Sequence, residues 1–260
     1  MYRTFTLSLY IPVSDMVSLF DTPGRAEERF AFFEKHLRVG KVYLEAFRAD
    51  TTPKHVLDKA KAFFAAKNIP VATGIMPVTR SKNVGGMFCF SDPKTATEFD
   101  RVFTYMAENF DEIMIDDSLA TNCTCELCRK AKGDAGWADF RRAQLVEFCQ
   151  NHIIAPAKKA NPNVQITLKY PTWHESFQRL GYDTEHQPSL FEETYSGTET
   201  RHTSYSLFRN PRYTSYSLLR YLQSLPPCNN RGAWFDNIQC ANSVDIYLEQ
   251  AELTLLGAPK

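Results

Sequence analysis

The sequence carries no excess charge of either sign: 30 basic and 30 acidic side chains cancel over 260 residues. A polyanion-binding protein needs a basic surplus, so the balance argues against nucleic acid and acidic membrane surfaces as partners. No apolar run approaches the ~18 residues needed to cross a bilayer. The apolar start, Met1 to Val13, lacks a basic region ahead of a long apolar stretch and lacks a small-residue cleavage site, so it does not read as a secretory leader. Alternation of Phe5, Leu7, Leu9 and Ile11 reads instead as a buried strand. No glycine-rich phosphate loop follows that strand; Ile11-Pro12-Val13-Ser14-Asp15 stands there, which argues against a dinucleotide-binding sheet. The six histidines form no H-x3-H pair. Internal repeats, low-complexity tracts and linkers are absent too.

What is present is an alternation of short β-rich runs with longer helical ones. Strands are expected at Phe5–Pro12, Lys41–Phe47, Pro70–Pro77, Glu112–Asp116, Val164–Tyr170, Glu192–Ser196 and Gly232–Asp236. Helices are expected at Ala26–Leu37, Pro53–Lys67, Trp137–Ala160 and Ser243–Leu256, with another opened by Asp92 as cap and Pro93 in its first turn. Strands separated by helices imply right-handed βαβ units and a parallel sheet. Polar and aromatic residues follow nearly every strand, as in barrels that build one site from all their loops. The expected fold is therefore α/β, a TIM-type (β/α)8 barrel forming a single domain over residues 1–260. Seven strands are countable; Gly257-Ala258-Pro259-Lys260 looks like a turn before an eighth, which is missing or lies past residue 260.

Seven cysteines are an odd number, and three crowd into Cys123-Thr-Cys125-Glu-Leu-Cys128 after the fourth strand. That usage suits a reducing compartment, so the expected location is cytoplasmic. C-x-C-x2-C spacing lets three thiolates converge on one ion, and soft sulfur selects zinc over hard cations. Cys89, after the third strand, is the best fourth ligand, because neighbouring parallel strands set their following loops side by side. The alternatives are unligated thiols, a redox pair, or an iron–sulfur cluster, although the C-x3-C-x2-C spacing of radical enzymes is absent. Cys149, Cys228 and Cys240 are isolated.

Carboxylates gather at the strand ends. Ile113-Met114-Ile115 runs into Asp116 and Asp117; Glu199 follows the sixth strand and Asp236 ends the seventh. An inward carboxylate at the C-terminal rim of a barrel is a candidate acid, base or nucleophile; the competing reading is a helix cap or a structural ion pair. Glu45 and Arg48 after strand two, Lys169, Tyr170 and Trp173 after strand five, Arg201 after strand six and Trp234 at strand seven complete a rim of cations, acids and aromatic faces. Rings stack on sugars, carboxylates and Arg bond hydroxyls, and two carboxylates flanking a bond are what glycoside hydrolysis requires.

A strand ending in acids and followed by C-x-C-x2-C resembles the barrel domain of family 42 β-galactosidases and related barrel glycoside hydrolases, mainly over residues 70 to 130. In that family a zinc-binding cysteine after the third strand joins a C-x-C-x2-C triplet after the fourth, so the resemblance implies a structural zinc on Cys89, Cys123, Cys125 and Cys128. The family's acid/base lies in an Asn-Glu pair after strand four, where Asp116-Asp117 stands here. Its nucleophile is a Glu after strand seven, where the nearest acid is Asp236. Other barrel glycosidases put a nucleophilic Asp after strand four and the acid/base after strand six, a plan that Asp117 and Glu199 fit. The expectation is a carbohydrate-active enzyme using two of Asp116, Asp117, Glu199 and Asp236. Its alternatives are a non-catalytic sugar-binding barrel and, third, a zinc-dependent hydrolase.

Overall fold

The computed structural model describes residues 4–80, 86–200, 213–238, 240 and 242–257. Seven strands form one parallel sheet in chain order: β1 (Leu7–Ile11), β2 (Val39–Arg48), β3 (Val71–Met76), β4 (Glu112–Ile115), β5 (Gln165–Tyr170), β6 (Glu193–Gly197) and β7 (Asn230–Trp234). Between them lie α1 (Val13–Phe20), α2 (Arg25–His36), α3 (Lys54–Ala66), α4 (Pro93–Asn109), α5 (Glu126–Lys132), α6 (Trp137–Cys149), α7 (Ala155–Ala160), α8 (Phe177–Leu180) and α9 (Thr214–Ser224), and α10 (Val244–Gly257) follows the last strand. The expected TIM-type α/β architecture is present as a curled sheet with helices on its outer face. No eighth strand occurs among the described residues, and β1 and β7 do not pair there.

Strand alternation divides the side chains into two layers. Leu44, Ile75, Ile113, Ile115, Ile166 and Leu168 point outward and pack with Phe64, Phe99, Phe103, Met106 and Leu145 of the helices into the main core. Tyr43, Ala72 and Met114 form a small inner layer with Tyr10 and Tyr195. Below that layer, Glu112 takes hydrogen bonds of 2.5 Å from both Lys41 Nζ and the Tyr43 hydroxyl. Large rings in the inner layer need gaps opposite them. A Cβ on Gly74 would lie 2.4 Å from the Tyr10 ring, and one on Gly232 would lie 2.5 Å from the Tyr195 ring.

The helix that Asp92 and Pro93 open is α4: the Asp92 carboxylate accepts from Lys94 N at 2.9 Å. Phe99, Val102, Phe103 and Met106 recur at helical spacing on its buried face, each removal from water being worth about 1.5–3 kcal/mol. The helix expected over Trp137–Ala160 is interrupted at Gln150–Ile154 by a π-turn, whose signature is the Ala155 N–H to Gln150 carbonyl bond. Pro156 lacks the N–H that would bond one turn back, and the wider turn just before it accommodates the ring. The seventh strand starts at Asn230 rather than Gly232. Its amide donates to the Thr194 and Ser196 hydroxyls of β6 at 3.3 and 2.9 Å, anchoring the strand two residues early. No helix among the described residues is long and apolar enough to cross a membrane.

Candidate active site

Inward alternation along β4 runs Glu112, Met114, Asp116, and along β5 it runs Thr167, Lys169. The two strands pair at Ile115 and Leu168, so Asp116 and Lys169 meet at the C-terminal end of the barrel. Lys169 Nζ lies 2.5 Å from Asp116 Oδ1, with both side chains buried. The same ammonium sits 3.9 Å from the ring centroid of Trp234 on β7 and 5.2 Å from that of Tyr10 on β1. One cation thus touches β1, β4 and β7, which is possible only because the sheet curls around it.

Trp234 is held by its indole N–H, which donates to the Tyr170 carbonyl at 3.2 Å. It passes over Gly197 at the end of β6. A Cβ there would stand 2.9 Å from the indole and 2.6 Å from Glu199 Oε2. Glycine is what lets the ring and the Glu199 carboxylate share that strand end. Glu199 Oε2 accepts from the Thr172 N–H at 2.9 Å and the Thr172 hydroxyl at 3.2 Å, so the β5 loop fixes the acid of the β6 loop.

Asp117 is fixed through its backbone. Its N–H donates to Asp116 Oδ1 at 2.9 Å, and its carbonyl accepts from the Tyr182 hydroxyl. Burial raises the Asp117 pKa well above the usual carboxylate range; the negative charges of Asp116, Glu199 and Asp236 push the same way, and Lys169 opposes them. Asp236 Oδ1 accepts from Ile238 N at 2.8 Å, an Asx-type turn, while the Gln250 amide donates to the Asp236 carbonyl at 2.8 Å. The four acids expected at the rim therefore share one neighbourhood, but their settings differ: Asp116 is salt-bridged, Glu199 is hydrogen-bonded, Asp236 caps its own loop, and Asp117 has its charged form disfavoured.

Glu45 is fully buried. It accepts from the Tyr10 hydroxyl at 3.0 Å, from Val13 N at 2.8 Å, and from Arg48 through Nε and Nη2 at 2.9 and 2.8 Å. Positions three apart on a strand ordinarily point to opposite faces. Here the pairing of β2 with β3 slips between Glu45 and Phe47, a bulge that turns Arg48 back over Glu45. Thr52 secures the bulge: its N–H donates to the Ala46 carbonyl and its hydroxyl to the Glu45 carbonyl.

Tyr170, expected on the rim, is directed elsewhere. The alternation that turns Lys169 inward turns Tyr170 outward, into the main core, where its ring meets Phe177 and Tyr182 and its hydroxyl reaches Gln187 at 3.3 Å. Trp173 packs against Phe177 and Tyr182 beside the mouth. Arg201 lies outside the described residues. Sequence reasoning passed over Tyr10, Thr172, Tyr182 and Gly197; only Tyr10 had a usable signal there, as the inward position of the first strand.

Beside the mouth, the sulfurs of Cys89, Cys123, Cys125 and Cys128 all lie within 4.8 Å of one another. Cys89 Sγ is 3.6 Å from Cys125 Sγ and 3.5 Å from Cys128 Sγ. A tetrahedral ion with sulfur at about 2.3 Å needs sulfurs about 3.8 Å apart, so the donor set and its spacing fit a four-thiolate metal centre. Thr121 joins the two loops, donating to the Phe88 carbonyl at 2.8 Å and accepting from Cys123 N at 3.1 Å. Arg141 braces them from outside through the Cys123 and Arg179 carbonyls. The Cys128 backbone N–H lowers the Cys125 thiol to about 7, whereas burial raises those of Cys89 and Cys123.

The whole chain, residues 1–260, matches the family model described as "Probable glycosyl hydrolase, catalytic domain", and it belongs to that family. It is 25% identical over 289 aligned positions to an uncharacterized protein of Saccharolobus solfataricus, covering 98% of this chain and 47% of that protein. The chain thus spans about half the length of the curated relative it matches. Among solved structures it is similar to a β-glucosidase from Thermotoga maritima in complex with castanospermine, with a TM-score of 0.53 and 9% identity over 100% of this chain and 87% of that one. The β-glucosidase of that organism in complex with deoxynojirimycin gives a TM-score of 0.50 and 10% identity over the same shares of the two chains. At such identity the likeness is one of barrel fold.

Proposed function

We propose that this member of the glycosyl hydrolase family cleaves a glycosidic bond at the mouth of its barrel, with Asp117 as proton donor and Glu199 as the second carboxylate, the reverse of the plan in which the Asp after strand four is the nucleophile. The observation that carries this reading is the opposed setting of the two acids. Burial and three neighbouring carboxylates favour the protonated form of Asp117, while Glu199 is held in place by two hydrogen bonds from Thr172. Environments that push paired carboxyls apart are how one site supplies both an acid and a base or nucleophile near neutral pH. Asp117 protonates the departing glycosidic oxygen. Glu199 attacks the anomeric carbon or activates the water that does, and Asp116, salt-bridged to Lys169, faces the sugar ring on which positive charge develops. Trp234 supplies an aromatic wall, and Arg48 offers N–H donors to hydroxyls. A carbohydrate is the partner.

The cysteine cluster, in this reading, holds a structural zinc as in the family 42 β-galactosidases that the chain resembles. Four thiolates leave no open position, so the ion cross-links two βα loops and takes no part in hydrolysis. Thiols used as ligands fit a cytoplasmic location.

The test is turnover and binding measured together. Asp117→Asn and Glu199→Gln should each cut hydrolysis of aryl glycosides by several orders of magnitude while sugar affinity and folding stay close to native. Native protein that binds sugars and hydrolyses none would replace this reading with a non-catalytic sugar-binding barrel.

A further inference from the structure

The fifth βα unit lacks a full helix. Where the units on either side use α6 and α9, of 13 and 11 residues, this one has only the four residues of α8. Gly181, at φ 100, ends α8 and lies so close to α6 that a Cβ would stand 2.4 Å from Leu145. The chain then continues without a helix to a short 3-10 turn at Gln187–Leu190, leaving a gap in the outer wall between α6 and α9. That gap is a cleft of about 380 Å³, within the range of about 300–1,000 Å³ usual for ligand sites.

Its lining is built for hydrogen bonding. Asp183 has a side chain only 7% exposed. Its Oδ1 accepts from Glu185 N at 3.0 Å, His186 N at 2.8 Å and His186 Nδ1 at 3.0 Å. Those bonds lock the carboxylate and hold its pKa below the usual value despite burial. Arg142 faces Asp183 Oδ2 at 3.6 Å and carries a buried Nε with no partner among the described residues. Gln178, Thr184 and Glu185 add amide, hydroxyl and carboxylate groups, and Tyr221 of α9, 51% exposed, brings an aromatic ring.

Asp183 and Glu185 outnumber the one arginine, itself also paired with Asp139, so the lining repels an anion, and Asp183 is already engaged by Arg142 and His186, which leaves Glu185 alone to face a cation. A cation would find no ring of aromatic faces around it. Fixed acceptors and donors interleaved beside one ring suit a neutral polyhydroxylated ligand. We propose that this cleft is a second saccharide-binding site, outside the barrel mouth. It takes sugar units of a longer substrate chain, with Tyr221 as the stacking surface and Asp183 and Arg142 as the hydroxyl-binding pair. Its neighbour Tyr182 lines the same cleft and bonds the Asp117 carbonyl, so the floor of this site is joined directly to the strand end that carries the proton donor. The ligand class rests on the function proposed above; the cleft and its built lining do not.

The experiment compares native protein, Tyr221→Ala and Glu185→Gln in two assays. Both residues are surface groups away from the catalytic acids. Affinity electrophoresis and titration with a panel of soluble oligo- and polysaccharides should show at least fivefold weaker binding for each variant. Hydrolysis of a small aryl glycoside, which fills only the mouth, should stay within twofold of native. Unchanged polysaccharide binding in both variants overturns the inference. Protein that binds polysaccharide through Tyr221 but hydrolyses no glycoside keeps this site and removes the catalytic reading instead. No saccharide binding at any concentration by native protein removes this proposal.

Discussion

The Lys169 ammonium stands between the Asp116 carboxylate, 2.5 Å away, and the face of Trp234, 3.9 Å from the ring centre. Through it, side chains at the ends of the fourth, fifth and seventh strands meet.

A buried pair of this kind is costly to break on one side only. Lys169→Met leaves Asp116 as an uncompensated buried charge, so urea unfolding should show a loss of about 3–5 kcal/mol. Removing both charges in Lys169→Met/Asp116→Asn should recover a large part of that loss. A double mutant whose cost equals the sum of the singles would show that the two groups do not interact.

Asp117 links stability to pH in a definite direction. Its pKa is raised in the folded protein, so folding favours the protonated acid. The associated stability is complete below the unfolded value near 3.9 and disappears as pH rises through the folded value. Asp117→Asn removes the ionisation. The variant should therefore gain on native protein as pH increases, by about 1.4 kcal/mol for each tenfold change in the ionisation constant that folding imposes. Turnover of the native enzyme should fall over the same alkaline limb. Thermal melts of both proteins from pH 4 to 9 check the sign; a constant difference across that range would refute it.

The cysteine cluster should be readable in the metal content. Purified protein is expected to hold about one zinc per chain, with sulfur at roughly 2.3 Å by X-ray absorption. Cys128→Ser should lose the ion and lower the melting temperature, and a strong chelator should do the same to native protein. Metal-free protein of unchanged stability would leave the four thiols with no structural role.

Gly197→Ala tests the shared strand end. The new methyl would lie 2.6 Å from Glu199 Oε2 and 2.9 Å from Trp234, so one of them must move. The stability cost should be about 1–3 kcal/mol, as for other overpacked sites. The rate of glycoside hydrolysis should fall further than that loss explains, because a carboxylate displaced by 1 Å loses its alignment. Native kinetics in this variant, with Glu199 seen displaced in its crystal structure, would exclude Glu199 from the reaction.

Much of this was legible in the sequence because parallel sheets advertise themselves through apolar runs set between amphipathic ones. All seven strands start within two residues of where the pattern puts them. The seventh covers Asn230, whose polar side chain hides it until the hydroxyls of Thr194 and Ser196 are known to face it. The helix α1 has no counterpart among the expected helices, although proline is tolerated just ahead of a first helical turn. At the site, the C-x-C-x2-C spacing draws three cysteines together, and the side-by-side loops of neighbouring parallel strands add Cys89, as the structure has it. Rim residues were harder. Lys169 and Tyr170 are adjacent, and only the alternation along β5, applied strictly, separates the one at the mouth from the one in the core. Arg48 shows the opposite case, since a bulge invisible in the sequence reverses the side it faces.

The strand order in the sheet is simply the order of the chain. A polypeptide leaving the ribosome N-terminus first therefore always has the neighbour of its newest strand already made. Among the described residues every strand after the first finds its first partner in the strand just before it, and each helix can settle on a strand pair already formed. Assembly by successive addition keeps loop-closure entropy small at every step. It also means that a stalled or truncated chain exposes the edge of its last completed strand, the point at which chaperones or proteases would meet it.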